Sequence, residues 1–310
     1  MFSTSLDSQE RGSHKIYDPQ QSHNHQSIAQ STFKVSYGDA TSLTGHVAAD
    51  TVVIGGVTVA AQALALPTSF SSGVVDDPSD GIVGLGFQRM NSICSSSPST
   101  SNTNNDHKQD ADCPTGYGPN PRPTWFENAR SALQKGLFSV NFKAGTPGYY
   151  SFGTIDEKAY NGDLHYIPIN NAKGFWQFPS TTYRIGSAGP LQHFDGADGI
   201  ADSGTSLLML APDVVEAYYA DVKNAKNEDS GYTFPCGTVL PDLEIAMGDF
   251  MAKVPGNVME YAETKTKGVC YGGLQSNGRQ GPQIFGDILF KALYVVFDYD
   301  GLRLGLAPHA

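Results

Sequence analysis

Short apolar runs, broken every few residues by turn formers, constrain this chain more than any other feature. Residues 33–37, Phe-Lys-Val-Ser-Tyr, alternate in the two-residue period of a half-buried strand. The turn Gly38-Asp39-Ala40-Thr41 follows and residues 51–54 close a second run, which reads as a hairpin with its tip near Gly38. Further strand-like runs occupy 57–66, 82–85, 137–143, 149–152, 164–169, 292–297 and 302–306. The last two are joined by the turn signal Asp298-Tyr299-Asp300-Gly301. Few helices are needed. Residues 124–134 set a Thr cap before Trp125, Phe126, Ala129, Ala132 and Leu133, and 212–222 opens on Pro212 ahead of Val214, Val215, Tyr218 and Tyr219. The stretch 92–123, rich in Ser, Asn, Asp and Pro, reads as a long surface loop. With 34 Gly and 18 Pro in 310 residues, the expectation is a mostly β protein of one large or two medium domains.

Charge and cysteine usage remove several functions. Thirty-one Asp and Glu against twenty Lys and Arg leave −11, which argues against a phosphate-binding surface and hence against nucleic acid as a partner. The longest apolar run, 57–66, is about half a membrane span, so no membrane is expected. Met1-Phe2-Ser3-Thr4 has neither the basic start nor the apolar block of a signal peptide. None of the four cysteines, Cys94, Cys113, Cys236 and Cys270, lies in a C-x-x-C, so zinc knuckles are poorly supported. Their even number suggests two disulfides and an oxidising compartment, with four free thiols as the alternative. His23 and His25 sit among Gln, Ser and Asn, which points to a solvated loop and no metal. A serine hydrolase would need a Gly-x-Ser-x-Gly elbow, which is absent. A dinucleotide fingerprint fails because Arg89 stands where a third glycine should follow Gly84-Leu85-Gly86.

The chemistry-bearing segment is Gly199-Ile200-Ala201-Asp202-Ser203-Gly204-Thr205-Ser206, followed by apolar 207–210. A carboxylate between an apolar strand and a small-residue turn is costly unless it receives hydrogen bonds. Gly204 allows a tight turn with its amide near the Asp202 oxygens, and the hydroxyls of Ser203 and Thr205 can add bonds. An ordinary Asx turn would use the same residues, so the octet alone leaves both possibilities open. An internal echo adds weight. Gly81-Ile82-Val83-Gly84-Leu85-Gly86-Phe87 and Gln283-Ile284-Phe285-Gly286-Asp287-Ile288-Leu289-Phe290 share two bulky apolar residues, a Gly and an apolar tail.

Asp-Ser-Gly-Thr before an apolar strand, together with Ile-Phe-Gly-Asp near the end, resembles the pepsin-like aspartic endopeptidases, most closely the secreted fungal ones. Residues 35–39, 80–87, 174–178 and 294–298 match further segments in the family's order, so the resemblance covers nearly the whole chain. It implies a mostly β, bilobal pepsin-like acid protease fold, with a partial N-terminal lobe at 1–163 carrying a flap and a C-terminal lobe at 164–310. It implies that Asp202 is a catalytic acid, that Ser203 braces the turns across a carboxylate pair, and that Gly204 and Thr205 bond the carboxylate and contact substrate. Tyr37, Gly38 and Asp39 match the flap positions that close over substrate, and Cys236 and Cys270 the disulfide of the C-terminal lobe. A Cys94–Cys113 bridge is the remaining pairing. No metal or cofactor is implied; the partners are polypeptide substrates, the state monomeric and the location extracellular.

One departure matters. Asp-Ser-Gly-Thr before an apolar run occurs once, at Asp202, whereas the family pairs two such turns. Asp202 precedes Gly286 by 84 residues (286 − 202), and the same count back from Gly84 lands just before Met1. The expectation is an N-terminally truncated protease whose first catalytic turn is missing and whose chain as written is inactive. The alternative is a non-catalytic pepsin-fold protein that binds peptides or another partner. Two chains each lending Asp202 is a weaker possibility, because both lobes are present in sequence. Ala40 also stands where flap sequences usually carry Gly.

Overall fold

The computed structural model describes residues 1–38, 40–71, 78–93, 121–195, 198–278 and 281–310. Cys94, Cys113 and Asp39 lie outside them, as does most of the expected loop at 92–123. The chain divides into two compact units, Met1–Leu133 and Gln134–Ala310.

In the first unit, Gln26–Ser36, Ser42–Ile54 and Val57–Phe70 form an antiparallel three-stranded sheet in chain order. The alternation at 33–37 is realised, with Phe33 buried and Thr32, Lys34 and Ser36 exposed. Phe33, Val47 and Ile93 make a buried cluster against which Val35, Leu43 and Ala65 pack. Gly55 and Gly56 join the second and third strands with φ of 57° and 80°, the left-handed pair that a two-residue hairpin loop requires. The expected helix forms at Trp125–Ala129, followed by a tighter turn at Arg130–Ala132. Its capping box is complete: the Thr124 hydroxyl accepts the Glu127 amide, and the Glu127 carboxylate accepts the Thr124 amide. The same carboxylate accepts the Gln88 N–H at 2.9 Å, which ties the helix to the segment after the Gly84 motif.

That segment corrects one expectation. Residues 82–85 form no strand, and Ile82 and Val83 are exposed. An extended segment becomes a strand only when it joins a sheet ladder, and residues 82–85 belong to none of the described sheets.

The second unit contains two five-stranded sheets. One runs in the order Thr146–Phe152, Leu137–Lys143, Leu293–Asp298, Arg303–Pro308, His165–Pro168. Leu137–Lys143 pairs with Leu293–Asp298 inside this unit. Phe138 stacks on Phe297 with ring centroids 4.5 Å apart, and Trp176 meets both edge-on. The other sheet runs Leu274–Ser276, Leu208–Leu210, Gln283–Phe285, Gly199–Ala201, Gln177–Phe178. Cys236 and Cys270 are disulfide-bonded. Among the described residues no helix is long and apolar enough to cross a membrane.

Candidate active site

Gly199–Ala201 is wholly buried, antiparallel to Gln177–Phe178 and parallel to Gln283–Phe285, with Ala201 opposite Phe285. Gly199 is required by packing, since a Cβ there would lie 2.6 Å from the Phe285 ring. The chain then leaves the sheet. The Asp202 N–H donates to the Phe285 carbonyl at 3.0 Å, and the Thr205 N–H closes the turn on the Asp202 carbonyl at 3.2 Å. Leu208–Leu210 returns antiparallel to the same Gln283–Phe285 strand. One strand therefore holds both flanks of the turn.

The half-buried Asp202 carboxylate receives the bonds its sequence setting calls for. Oδ1 accepts the Gly204 N–H at 2.9 Å and Oδ2 accepts the Thr205 hydroxyl at 2.7 Å. A Cβ on Gly204 would stand 3.2 Å from Oδ1, so glycine lets the amide approach. Ser203 bonds through its side chain with Tyr150. Burial raises the Tyr150 phenol above its ordinary value; the Ser203 bond opposes that, and the charges of Asp287 and Asp202 add to it. Asp287 itself is pushed up to about 6, chiefly by burial, with Lys291 opposing and Asp202 adding.

The two copies of the internal echo differ. A Cβ at Gly286 would lie 2.1 Å from the Thr205 carbonyl oxygen and 2.3 Å from that of Leu207, so this glycine is packed against the Asp202 turn. Among the described residues a Cβ at Gly84 meets nothing within 4 Å.

Tyr37 and Gly38 lie at the tip of the first unit's hairpin and are exposed. The tip is closed by Tyr37 N–H to Thr41 O at 2.8 Å and Ala40 N–H to Tyr37 O at 3.0 Å. Ala40 adopts φ of 67°, the left-handed region that favours glycine. His23 is exposed, whereas the ring of half-buried His25 is bonded to the Tyr17 hydroxyl, which donates to buried Asp50.

The sequence model described as "Eukaryotic aspartyl protease" matches residues 1–309. The chain belongs to this family. It is 38% identical over 321 residues to "Aspartic protease PEP3" of Coccidioides posadasii (strain C735), covering 100% of this chain and 67% of that protein. It is 40% identical over 316 residues to "Penicillopepsin-1" of Penicillium rubens, covering 100% of this chain and 72% of the relative. The solved aspartic proteinase from Irpex lacteus shares the fold, with a TM-score of 0.72 at 22% identity over 96% of this chain and 86% of that one. Family membership makes the chain an enzyme of the aspartic endopeptidase type, with the mostly β, pepsin-like fold expected.

Asp202, Ser203, Gly204 and Thr205 thus come together in one turn, while Tyr37 and Gly38 belong to the other unit. Tyr150 and Asp287 beside the turn escaped sequence reasoning. Asp287 was visible in Ile-Phe-Gly-Asp, but nothing local marks its amide as bonded to the Asp202 turn at Thr205.

Proposed function

We propose that Asp202 is a catalytic carboxylate of an endopeptidase that hydrolyses peptide bonds in polypeptide substrates. The observation that carries this reading is the pair of bonds to Asp202, from the Gly204 amide and the Thr205 hydroxyl, on a turn held by a buried strand. In aspartic proteases two carboxylates share one proton, because both cannot ionise cheaply at close range. The ionised member takes a proton from water as it attacks, and the protonated member polarises the scissile carbonyl. Ser203 braces the turn, Gly204 and Thr205 orient the carboxylate and meet substrate, and Tyr37, Gly38 and Asp39 close over it. The lobes of this reading are 1–163 and 164–310, the molecule is a monomer, and its site of action is extracellular.

The second carboxylate belongs on a similar turn seated against Gly84. With one Asp-Ser-Gly-Thr turn before an apolar run in its sequence, the 310-residue chain is expected to cleave peptides little or not at all. An acid-pH cleavage assay on this chain, and on a form extended by an Asp-Thr-Gly turn, tests the reading. The extended form should cleave, respond to a pepstatin-type inhibitor and lose activity on Asp202→Asn. Cleavage that survives Asp202→Asn would remove Asp202 from the chemistry. The single Asp-Ser-Gly-Thr turn also favours a second reading, a peptide-binding protein without catalysis. That reading would show as peptide binding without cleavage in both forms.

A further inference from the structure

A cavity of about 470 Å³ lies wholly within the second unit, and its charged lining is Lys135, Asp298, Asp300 and Arg303. Arg303 is fixed on two sides. Its Nε donates to Asp298 Oδ2 at 2.6 Å, and its guanidinium lies 4.1 Å from the centre of the Tyr166 ring. Asp298 is held in turn, since its Oδ1 accepts the Gly301 N–H at 2.9 Å. Gly301 makes room for the pair: a Cβ there would stand 2.6 Å from Asp298 Oδ2 and 2.7 Å from Arg303 Nε. Among the described residues Nε is the one Arg303 nitrogen with a hydrogen-bond partner, so the two terminal nitrogens present an unused, pre-oriented fork. Lys135 is exposed and forms no ion pair among the described residues. The Asp300 carboxylate lies against the Gly136 backbone, where a Cβ would come within 2.1 Å of it, and the Gly136 carbonyl accepts the Tyr299 N–H at 3.0 Å.

Two cations and two carboxylates line one cavity, so a simple anion is attracted by one pair and repelled by the other, and a simple cation the reverse. A molecule that carries both signs matches the lining on both counts. We propose that this cavity binds short peptides with free termini, the carboxylate on Arg303 and Lys135 and the ammonium on Asp300. Leu137, Ile155 and Tyr166 supply the wall for an apolar side chain. Size sets the length. A cavity of about 470 Å³ is in the range that takes small molecules, and each added residue can separate the termini by about 3.5 Å more, which restricts the occupant to two or three residues. Peptide-bond hydrolysis releases molecules of this class, because each cut makes one new carboxylate and one new ammonium. No lining residue belongs to the Asp202 turn or to the strands that hold it, so the inference stands apart from the assignment of Asp202.

The probe is the dipeptide Gly-Leu, titrated at about pH 6, where both its termini are charged, into the ¹⁵N-labelled 310-residue chain and followed by amide NMR. The amides of Gly136, Leu137, Asp300 and Gly301 should shift together with a Kd of about 1 mM, the order expected for a ligand of this size. N-acetyl-Gly-Leu and Gly-Leu amide, each lacking one charge, should bind at least about fivefold more weakly. Lys135→Gln and Arg303→Gln should each weaken Gly-Leu by about fivefold or more. Asp300→Asn should weaken Gly-Leu and leave N-acetyl-Gly-Leu unchanged. Because Lys135 is exposed, Lys135→Gln keeps the test open if Arg303→Gln, which strips Asp298 of its partner, does not fold. Amides that stay in place up to about 20 mM Gly-Leu, some twenty times the expected Kd, would overturn the proposal. So would equal affinity for the three peptides, affinity unchanged in Lys135→Gln and Asp300→Asn, or inorganic phosphate binding as tightly as Gly-Leu, which would show an anion site only.

Discussion

Replacing Gly286 with Ala puts a Cβ 2.1 Å from the Thr205 carbonyl oxygen and 2.3 Å from that of Leu207. The backbone φ of −92° suits alanine, so space alone decides the outcome. Relief requires moving the Asp202 turn away. That stretches the bonds Gly286 N–H to Leu207 O at 3.1 Å and Asp287 N–H to Thr205 O at 2.8 Å. Overpacking of this kind costs about 1–3 kcal/mol, and two weakened backbone bonds add about 1 kcal/mol each, so Gly286→Ala should destabilise the second unit by about 3–5 kcal/mol. The two tryptophans report separately, Trp125 in the first unit and Trp176 in the second. In a Trp125→Phe background, urea unfolding followed by Trp176 fluorescence should show a midpoint lower by about 1–2.5 M, for a slope of about 2–3 kcal/mol/M. Gly84→Ala, read by Trp125 in a Trp176→Phe background, should stay within about 0.5 kcal/mol. An unmoved midpoint for Gly286→Ala, or a large loss for Gly84→Ala, would refute the packing argument.

Ala40→Gly relieves a left-handed alanine at the hairpin tip and should stabilise the first unit by about 0.5–1 kcal/mol, seen as a higher urea midpoint at Trp125; a fall would refute the strain. Removing the Cys236–Cys270 bridge, which spans 34 residues, should cost about 3–4 kcal/mol by chain entropy. Trp176 unfolding of a double serine variant checks this, and an unchanged midpoint would count against it. Burial pushes the Asp50 carboxyl up, but bonds from Tyr17, Ser22 and the Thr51 amide, with the His25 charge, outweigh it and hold the carboxyl below its ordinary value. Its stabilisation is therefore full above the unfolded-state value of 3.8 and lost as pH falls through the lower folded-state value. Tyr17→Phe removes the leading bond, so the acid limb of stability should move to higher pH in urea midpoints taken from about pH 2 to 6. An acid limb that stays in place would show that Tyr17 does not hold this carboxylate.

Much of the fold follows from local pattern. The alternation around Phe33 and Val35 becomes a strand with one buried face, and Leu137–Lys143 forms with the bounds read from its apolar run. Thr124 caps the helix that its position announces. The helix gives way to a tighter turn at Arg130–Ala132 before the apolar spacing ends, because Ala132 and Leu133 are not drawn into the core. The Asp202 turn is legible for a similar reason: its bonds come from Gly204 and Thr205, two and three residues away, so neighbours in sequence are neighbours in space.

By itself the sequence determined the mostly β character, the hairpin and its tip, the turn that presents Asp202, and the family. Tertiary structure alone decided that Ile284 lies in a strand while Ile82, in a matching motif, does not. It also decided that the Asp287 amide joins the Asp202 turn at the Thr205 carbonyl, and that His25 joins Tyr17 and Asp50 instead of standing in solvent. A turn is closed by bonds to residues beside it. A strand's partners and a carboxyl's proton affinity are set by groups brought near through space, and a linear pattern carries no record of those.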